Sequence, residues 1–145
     1  MLHLIPWNKE LETGIEVLDE QHKKFFKMAN RFVIKNLANK KTEAAMEELE
    51  FLEDYLMYHF QTEETFQIES HFPDYQDHQA EHKRLIFQVK AMSVALNSID
   101  KTNREKALHD FSDFVNRWVK NHILNLDLDF SRFYKNSLLE NTHPQ

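Results

Sequence analysis

Five histidines and two carboxylates stand where a metal could use them. His59 and Glu63 are four residues apart, as are His78 and His82, and His22, His122 and Asp127 stand further off. On a helix, residues four apart project from one face, so each pair can offer two donors to one point. A lone histidine on an apolar stripe is ordinarily a hydrogen-bonded core residue, and a lone glutamate is rarely buried without a partner. Seven such groups in one layer are different, because that many buried polar atoms need a common partner. Glu64 and Asp129 stand close to Glu63 and Asp127, and spacing alone does not choose firmly between them.

The elements that would carry these residues are helices. The chain has 145 residues, one Gly, three Pro and no Cys, with 41% hydrophobic residues, which suits one all-α domain with a substantial core. Apolar residues recur at spacings of three and four in four stretches. The first holds Leu18, His22, Phe25, Ala29 and Phe32, with Asp19 read as its N-cap, and fades near Lys40. The second runs Ala45, Leu49, Leu52, Leu56, His59, Glu63, Phe66 after a cap at Thr42, and Pro73 breaks the chain behind it. The third runs Tyr75, His78, His82, Leu85, Val89, Met92, Leu96, Ile99. The fourth runs Leu108, Phe111, Val115, Trp118, His122, after a loop over 100–103. A tail from Asp127 to Leu139 reads as a broken helix.

Connections this short force an antiparallel, up-down-up-down four-helix bundle, with an N-terminal arm over 1–17, the bundle over 18–122 and a C-terminal segment with a short helix over 123–145. In that layout all seven candidate ligands fall at one end. At roughly 1.5 Å per residue, His59 and Glu63 lie about 9 to 15 Å before the end of their helix, and His78 and His82 about 5 to 10 Å into theirs. His122 and Asp127 are five apart, about 140° on an ideal helix, which predicts a distortion or an end between them.

Without cysteine, any metal must be held by imidazole and carboxylate, a donor set that suits iron, manganese or zinc. Seven ligands exceed the four that one zinc takes, so two ions are expected. If both are six-coordinate, with Glu63 and Asp127 bridging, an oxo or hydroxo bridge, and each histidine filling one place, a single place stays open. A redox-active pair with one vacancy can bind a small diatomic such as O2. The other histidines, His3, His71, His109 and His143, are assigned no role.

The chain resembles the hemerythrin family, specifically its bacterial single-domain members, over nearly its whole length. The resemblance rests on Trp7-Asn8, Gly14-Ile15, Asp19-Glu20-Gln21-His22 with Phe25, His59-Phe60 with Glu63-Glu64, His78 with His82, and Trp118 with His122-Ile123 and Asp127. It implies two iron ions in a non-haem centre, with His22, His59, His78, His82 and His122 as terminal ligands and Glu63 and Asp127 as bridges. Glu63 is thereby preferred to Glu64, and Asp127 to Asp129. The resemblance further implies an O2 pocket lined by Phe25, Phe60, Trp118, Val119 and Ile123, although aromatics at helical spacing are also ordinary core. Three positions depart from the family pattern: Gln67 where Met is usual, Phe130 where Tyr is common, and His71 where Gly is usual. The first two are expected not to touch the seven ligands and to bear on the surrounding hydrogen bonding and pocket polarity, hence on O2 affinity and autoxidation rather than on metal binding itself.

The expected function is reversible O2 binding for storage, transport, delivery or sensing, and not an enzymatic one. The alternatives are a di-iron redox enzyme acting on peroxide or nitric oxide, and an iron store. Oxygen-activating di-iron bundles favour carboxylates and paired Glu-x-x-His motifs, and no such pair occurs here. The net charge of −6, with no basic aromatic cluster, argues against nucleic acid or an anionic membrane as partner. No long apolar run or signal-like start is present, so the expectation is a cytoplasmic protein. No output domain follows the last helix, which favours a stand-alone monomer, with a protein partner or electron donor left open.

Overall fold

The sequence pattern divides each helix into an apolar part and a ligand-bearing part, and the fold aligns those parts. A computed structural model describes residues 7–38, 42–96 and 100–142, with the side chains of some residues inside helices, Thr42, Ala45 and Val119 among them, outside that description. Helices α1 (Glu16–Ala38), α2 (Thr42–Glu69), α3 (Tyr75–Leu96) and α4 (Lys101–Trp118) pack in chain order, and α4 returns against α1. A π-helical segment, Val119–Asp127, continues α4 and leads into α5, Leu128–Thr142. No strand occurs among the described residues. The architecture is the expected all-α four-helix bundle.

On α2 the buried stripe begins with Leu49, Leu52 and Leu56 and ends with His59, Glu63 and Gln67. On α3 the order is reversed: His78 and His82 come first, and Leu85, Val89 and Leu96 follow. Antiparallel packing therefore sets leucine against valine at one end and ligand-type residues against each other at the opposite end. The apolar part, with Phe32, Phe111 and Val115 fully buried, supplies the favourable term, about 1.5–3 kcal/mol for each large side chain removed from water. A smaller cluster of Ile15, Leu18 and Phe130, with Phe66, Phe72 and Tyr134 against it, closes the other side of the polar layer.

Several boundaries differ from the sequence expectation. Asp19 is not the N-cap of α1: the helix starts at Glu16, and Asp19 reaches back from inside its first turn. There its carboxylate accepts from the Thr13 N–H at 2.7 Å, the Thr13 hydroxyl at 2.8 Å and the Gly14 N–H at 3.0 Å. A preceding loop with unmet donors is thus satisfied by the helix it enters. Gly14 has φ +84°, a left-handed conformation that favours glycine, whereas a Cβ there would meet only the flexible end of the Lys135 side chain of α5, which can swing aside. The polar stretch 100–103 is mostly helix, since α4 begins at Lys101 and Asp100 caps it by accepting from the Thr102 N–H at 2.8 Å. The last helix runs to Thr142 and joins α4 without a break. The cap expected at Thr42, the stripe position Ile99, and His3 and His143 lie outside the described side chains.

The distortion expected between His122 and Asp127 is the π-helical segment itself. Its exit shows the wider spacing, for the Leu128 N–H reaches the Ile123 carbonyl five residues back. In an i to i+5 pattern, residues five apart come round to the same side.

Candidate metal centre

The seven candidate ligands meet in one layer. Their donor atoms form two groups: Glu63, His78, His82, His122 and Asp127 in one, and His22, His59, Glu63 and Asp127 in the other. Within each group the atoms all lie within 4.8 Å of one another, and every residue is buried. Glu63 and Asp127 belong to both groups, which is the placement a pair of bridging carboxylates requires.

Helices α1, α2 and α3 and the π-helical segment after α4 all contribute. His22 Nε2 of α1 lies 3.2 Å from Asp127 Oδ2, and His59 Nε2 of α2 lies 3.5 Å from Glu63 Oε2. His78 Nε2 of α3 is 2.8 Å from Glu63 Oε1 and 3.1 Å from Asp127 Oδ1. His82 Nε2 is 3.2 Å from His122 Nε2, which in turn is 3.0 Å from Asp127 Oδ1. Nε2 of every histidine therefore points to the centre.

The donor set fits cations better than it fits itself. His22 Nε2, His59 Nε2, Glu63 Oε2 and Asp127 Oδ2 are buried atoms without a sound hydrogen bond. They face one another because each presents a lone pair to a common point, and a buried polar atom left in that state costs about 1–3 kcal/mol. Cations between them satisfy all four. The absence of thiolate and the mixture of imidazole and carboxylate suit iron, manganese or zinc.

Electrostatics in the metal-free layer follow from the same arrangement. Burial, helped by the neighbouring His22, pushes His59 down to about 3, so this ring stays neutral. Burial also opposes a charged His78, but hydrogen bonds to Asp127 and Glu63 prevail and push it up to about 10. His82 is raised in the same way, against its burial, by Glu63 and Glu64. Burial and the nearby Asp127 work to raise Glu63, yet its hydrogen bonds to His78 and His82 hold it down to about 2. Asp127 is likewise held well below the usual range by His122, His22 and His78 in spite of its burial. Protons on histidine thus stand in for metal charge between the two carboxylates.

The far nitrogens of two rings lie at hydrogen-bond distance from glutamine side chains, and that of a third faces a carboxylate from further off. Gln21 Oε1 lies 2.8 Å from His59 Nδ1, and the Gln21 amide donates to Thr62 at 3.3 Å. Gln67 Nε2 lies 2.6 Å from His78 Nδ1, against the expectation that Gln67 would not touch the ligands. Glu64 Oε2 is 3.5 Å from His82 Nδ1, so the neighbour of Glu63 faces the outer edge of a ligand ring. Such contacts fix which ring nitrogen carries the proton. Gln21 belonged to a motif in the sequence, but nothing there assigned it to His59.

Aromatic rings wall the layer. Phe60 stacks on His82 with ring centres 3.9 Å apart and planes 7° apart, and Trp118 stacks on His122 at 5.8 Å. Trp118 also meets His22 edge-on at 5.9 Å, and Phe25 stands behind it at 5.0 Å. Ile123 is fully buried. Trp7, half-buried on the N-terminal arm, lies 6.4 Å from His22 and 5.5 Å from Phe26, a contact that the helical periodicity did not announce. Phe72 packs 6.4 Å from His78 and 5.1 Å from Phe130. His109 is exposed and stands outside the layer, as does His71.

Fold and site together define a metal-binding four-helix bundle protein. The model of the hemerythrin HHE cation binding domain matches residues 13–132, and the chain belongs to the hemerythrin family. It is 30% identical over 141 residues to a bacteriohemerythrin of Pseudomonas aeruginosa, covering 97% of this chain and 87% of that one. It is 29% identical over 127 residues to a bacteriohemerythrin of Clostridium acetobutylicum, covering 86% and 96%. A crystal structure of wild-type hemerythrin superposes with a TM-score of 0.76 at 26% identity, over 91% of this chain and 98% of that one. No helix among the described residues is long and apolar enough to cross a membrane.

Proposed function

We propose that the chain binds O2 reversibly at a non-haem di-iron centre. His78, His82 and His122 would hold one iron, His22 and His59 the other, with Glu63 and Asp127 spanning both. The observation that carries this reading is that two separate groups of donors share the same two carboxylates. Two ferrous ions held by these residues would supply the two electrons that O2 takes up on binding and returns on leaving.

The chain's own residues make the exchange reversible. Five imidazoles add no charge to the layer, so the donor set carries only the charges of Glu63 and Asp127, in contrast to the carboxylate-rich sets of oxygen-activating bundles. Phe60 and Trp118 cover His82 and His122 with apolar surface, and Phe25, Val119 and Ile123 would complete the pocket. Apolar walls exclude the water that would carry a reduced oxygen species away. The protein would act as a cytoplasmic monomer that stores, carries, delivers or senses O2 rather than as an enzyme, with an electron donor or another protein as its partner.

The test is to load the chain with ferrous iron anaerobically, count metal per chain, and record the visible spectrum as O2 is admitted and purged. Two irons with a charge-transfer band that comes and goes support the reading. Two irons that oxidise once and stay oxidised favour redox catalysis or iron storage.

A further inference from the structure

Gln67 is completely buried one turn beyond Glu63 on α2. Its Nε2 lies 2.6 Å from Nδ1 of His78 and 3.3 Å from Oε1 of Glu63, while its own Oε1 has no partner. An apolar side chain of the same length would fill this place without the cost of a buried, half-satisfied amide. The amide therefore has to be judged by what it does to His78.

For Nε2 of His78 to offer its lone pair to a cation, the ring must carry its proton on Nδ1. That proton needs an acceptor, and the amide of Gln67 is the group placed at Nδ1. A half-turn about its terminal bond brings Oε1, the unpartnered atom, to the proton. The same device is already set on the other side of the layer, where Oε1 of Gln21 faces Nδ1 of His59 at 2.8 Å. We propose that Gln67 is a positioning residue that holds His78 in the Nδ1–H form and strengthens Nε2 as a donor, the counterpart on the three-histidine side of Gln21 on the two-histidine side. The proposal rests on the metal-centre reading above. In the metal-free layer Nε2 of Gln67 instead donates to Glu63 Oε1 at 3.3 Å, a contact that the half-turn gives up.

The test compares the parent chain with Gln67→Met, which removes the acceptor at similar volume, and Gln67→Glu, which keeps it. Three quantities are read: the melting temperature of the metal-free protein, ferrous affinity by chelator competition under argon, and hydrogen exchange of the shifted imidazole N–H resonances in the ferrous protein. For Gln67→Met the expected result is iron affinity weaker by about 10- to 100-fold, the usual effect of losing such a contact. One imidazole N–H should exchange faster, and the metal-free melting temperature should not fall. Gln67→Glu should restore slow exchange and bring affinity to within a few-fold of the parent or tighter. Parent-like affinity and exchange in Gln67→Met overturn the proposal, as does a loss of affinity that Gln67→Glu leaves unrescued while the metal-free protein melts lower. If the parent takes up no iron, the metal-centre reading itself falls and carries this proposal with it.

Discussion

His122 and Asp127 are five residues apart in the chain, yet Nε2 of one lies 3.0 Å from Oδ1 of the other. An α-helix would turn them to different faces, and the π-helical segment Val119–Asp127 brings them together. Deleting one residue from this segment, for example Asn125, should restore α-helical spacing and carry Asp127 out of the layer. The expected outcome is a protein that keeps its far-ultraviolet circular dichroism but binds no more than one metal per chain by elemental analysis.

Removal of a proposed ligand should act on metal and not on fold. His82→Ala and Glu63→Ala are expected to lose metal, Glu63→Ala from both positions because it belongs to both donor groups. His109→Ala, an exposed change on α4, should bind metal as the parent does. Elemental analysis after gel filtration checks all three, and loss of iron in His109→Ala would contradict the assignment of the layer.

Metal uptake should release protons. His78 is raised to about 10 in the metal-free layer and must give up its proton to become a ligand, so apparent affinity should increase with pH up to about 10 and then level off. Calorimetry in two buffers of different ionisation enthalpy gives the proton count at pH 7. The metal-free protein should show the matching stability profile. The raised His78 stabilises fully below its ordinary value of 6.5, and that contribution fades as pH rises through about 10. The lowered His59 acts in the opposite direction, with stability present above 6.5 and lost as pH falls toward 3. Chemical denaturation across pH should therefore show a maximum that declines on both flanks, and bound metal should flatten the alkaline flank.

Phe60→Ala takes away the ring stacked on His82 and leaves a cavity beside the layer. The expected loss of stability is about 3–5 kcal/mol by urea denaturation. Water admitted to the cavity should also hasten irreversible oxidation of the ferrous protein in air, followed in the visible spectrum.

His71 holds φ +58°, a left-handed backbone in the turn between α2 and α3, where a non-glycine residue costs roughly 1–2 kcal/mol. His71→Gly should relieve that strain, partly offset by about 0.4–1 kcal/mol of added freedom in the unfolded chain. A small net stabilisation, with metal content unchanged, is the expected outcome of thermal melts.

Much of this was visible in the residue pattern, for a physical reason. Leu49, Leu52 and Leu56 followed by His59 and Glu63 give both a helix and the direction in which its buried face changes character. Short connections then dictate which ends meet. The spacing of His122 and Asp127 announced an irregularity, though not that the helix would run on through it to Thr142. Asp19 was misread as a cap because an acidic residue near a helix start usually is one, whereas its partners are donors in the preceding loop. The partnership of Gln67 with His78 spans eleven residues and a turn, and depends on a rotamer, which no periodicity encodes.

The sharing of Glu63 and Asp127 between both donor groups has a consequence for how the site fills. If two cations bind as proposed, the first would draw these carboxylates into place and shed protons that the second would otherwise have to displace, so occupation of one position would prepare the other. Titration with metal should then run directly from empty to doubly loaded chains, with singly loaded ones scarce at every ratio, and acid should strip both ions in a single concerted step.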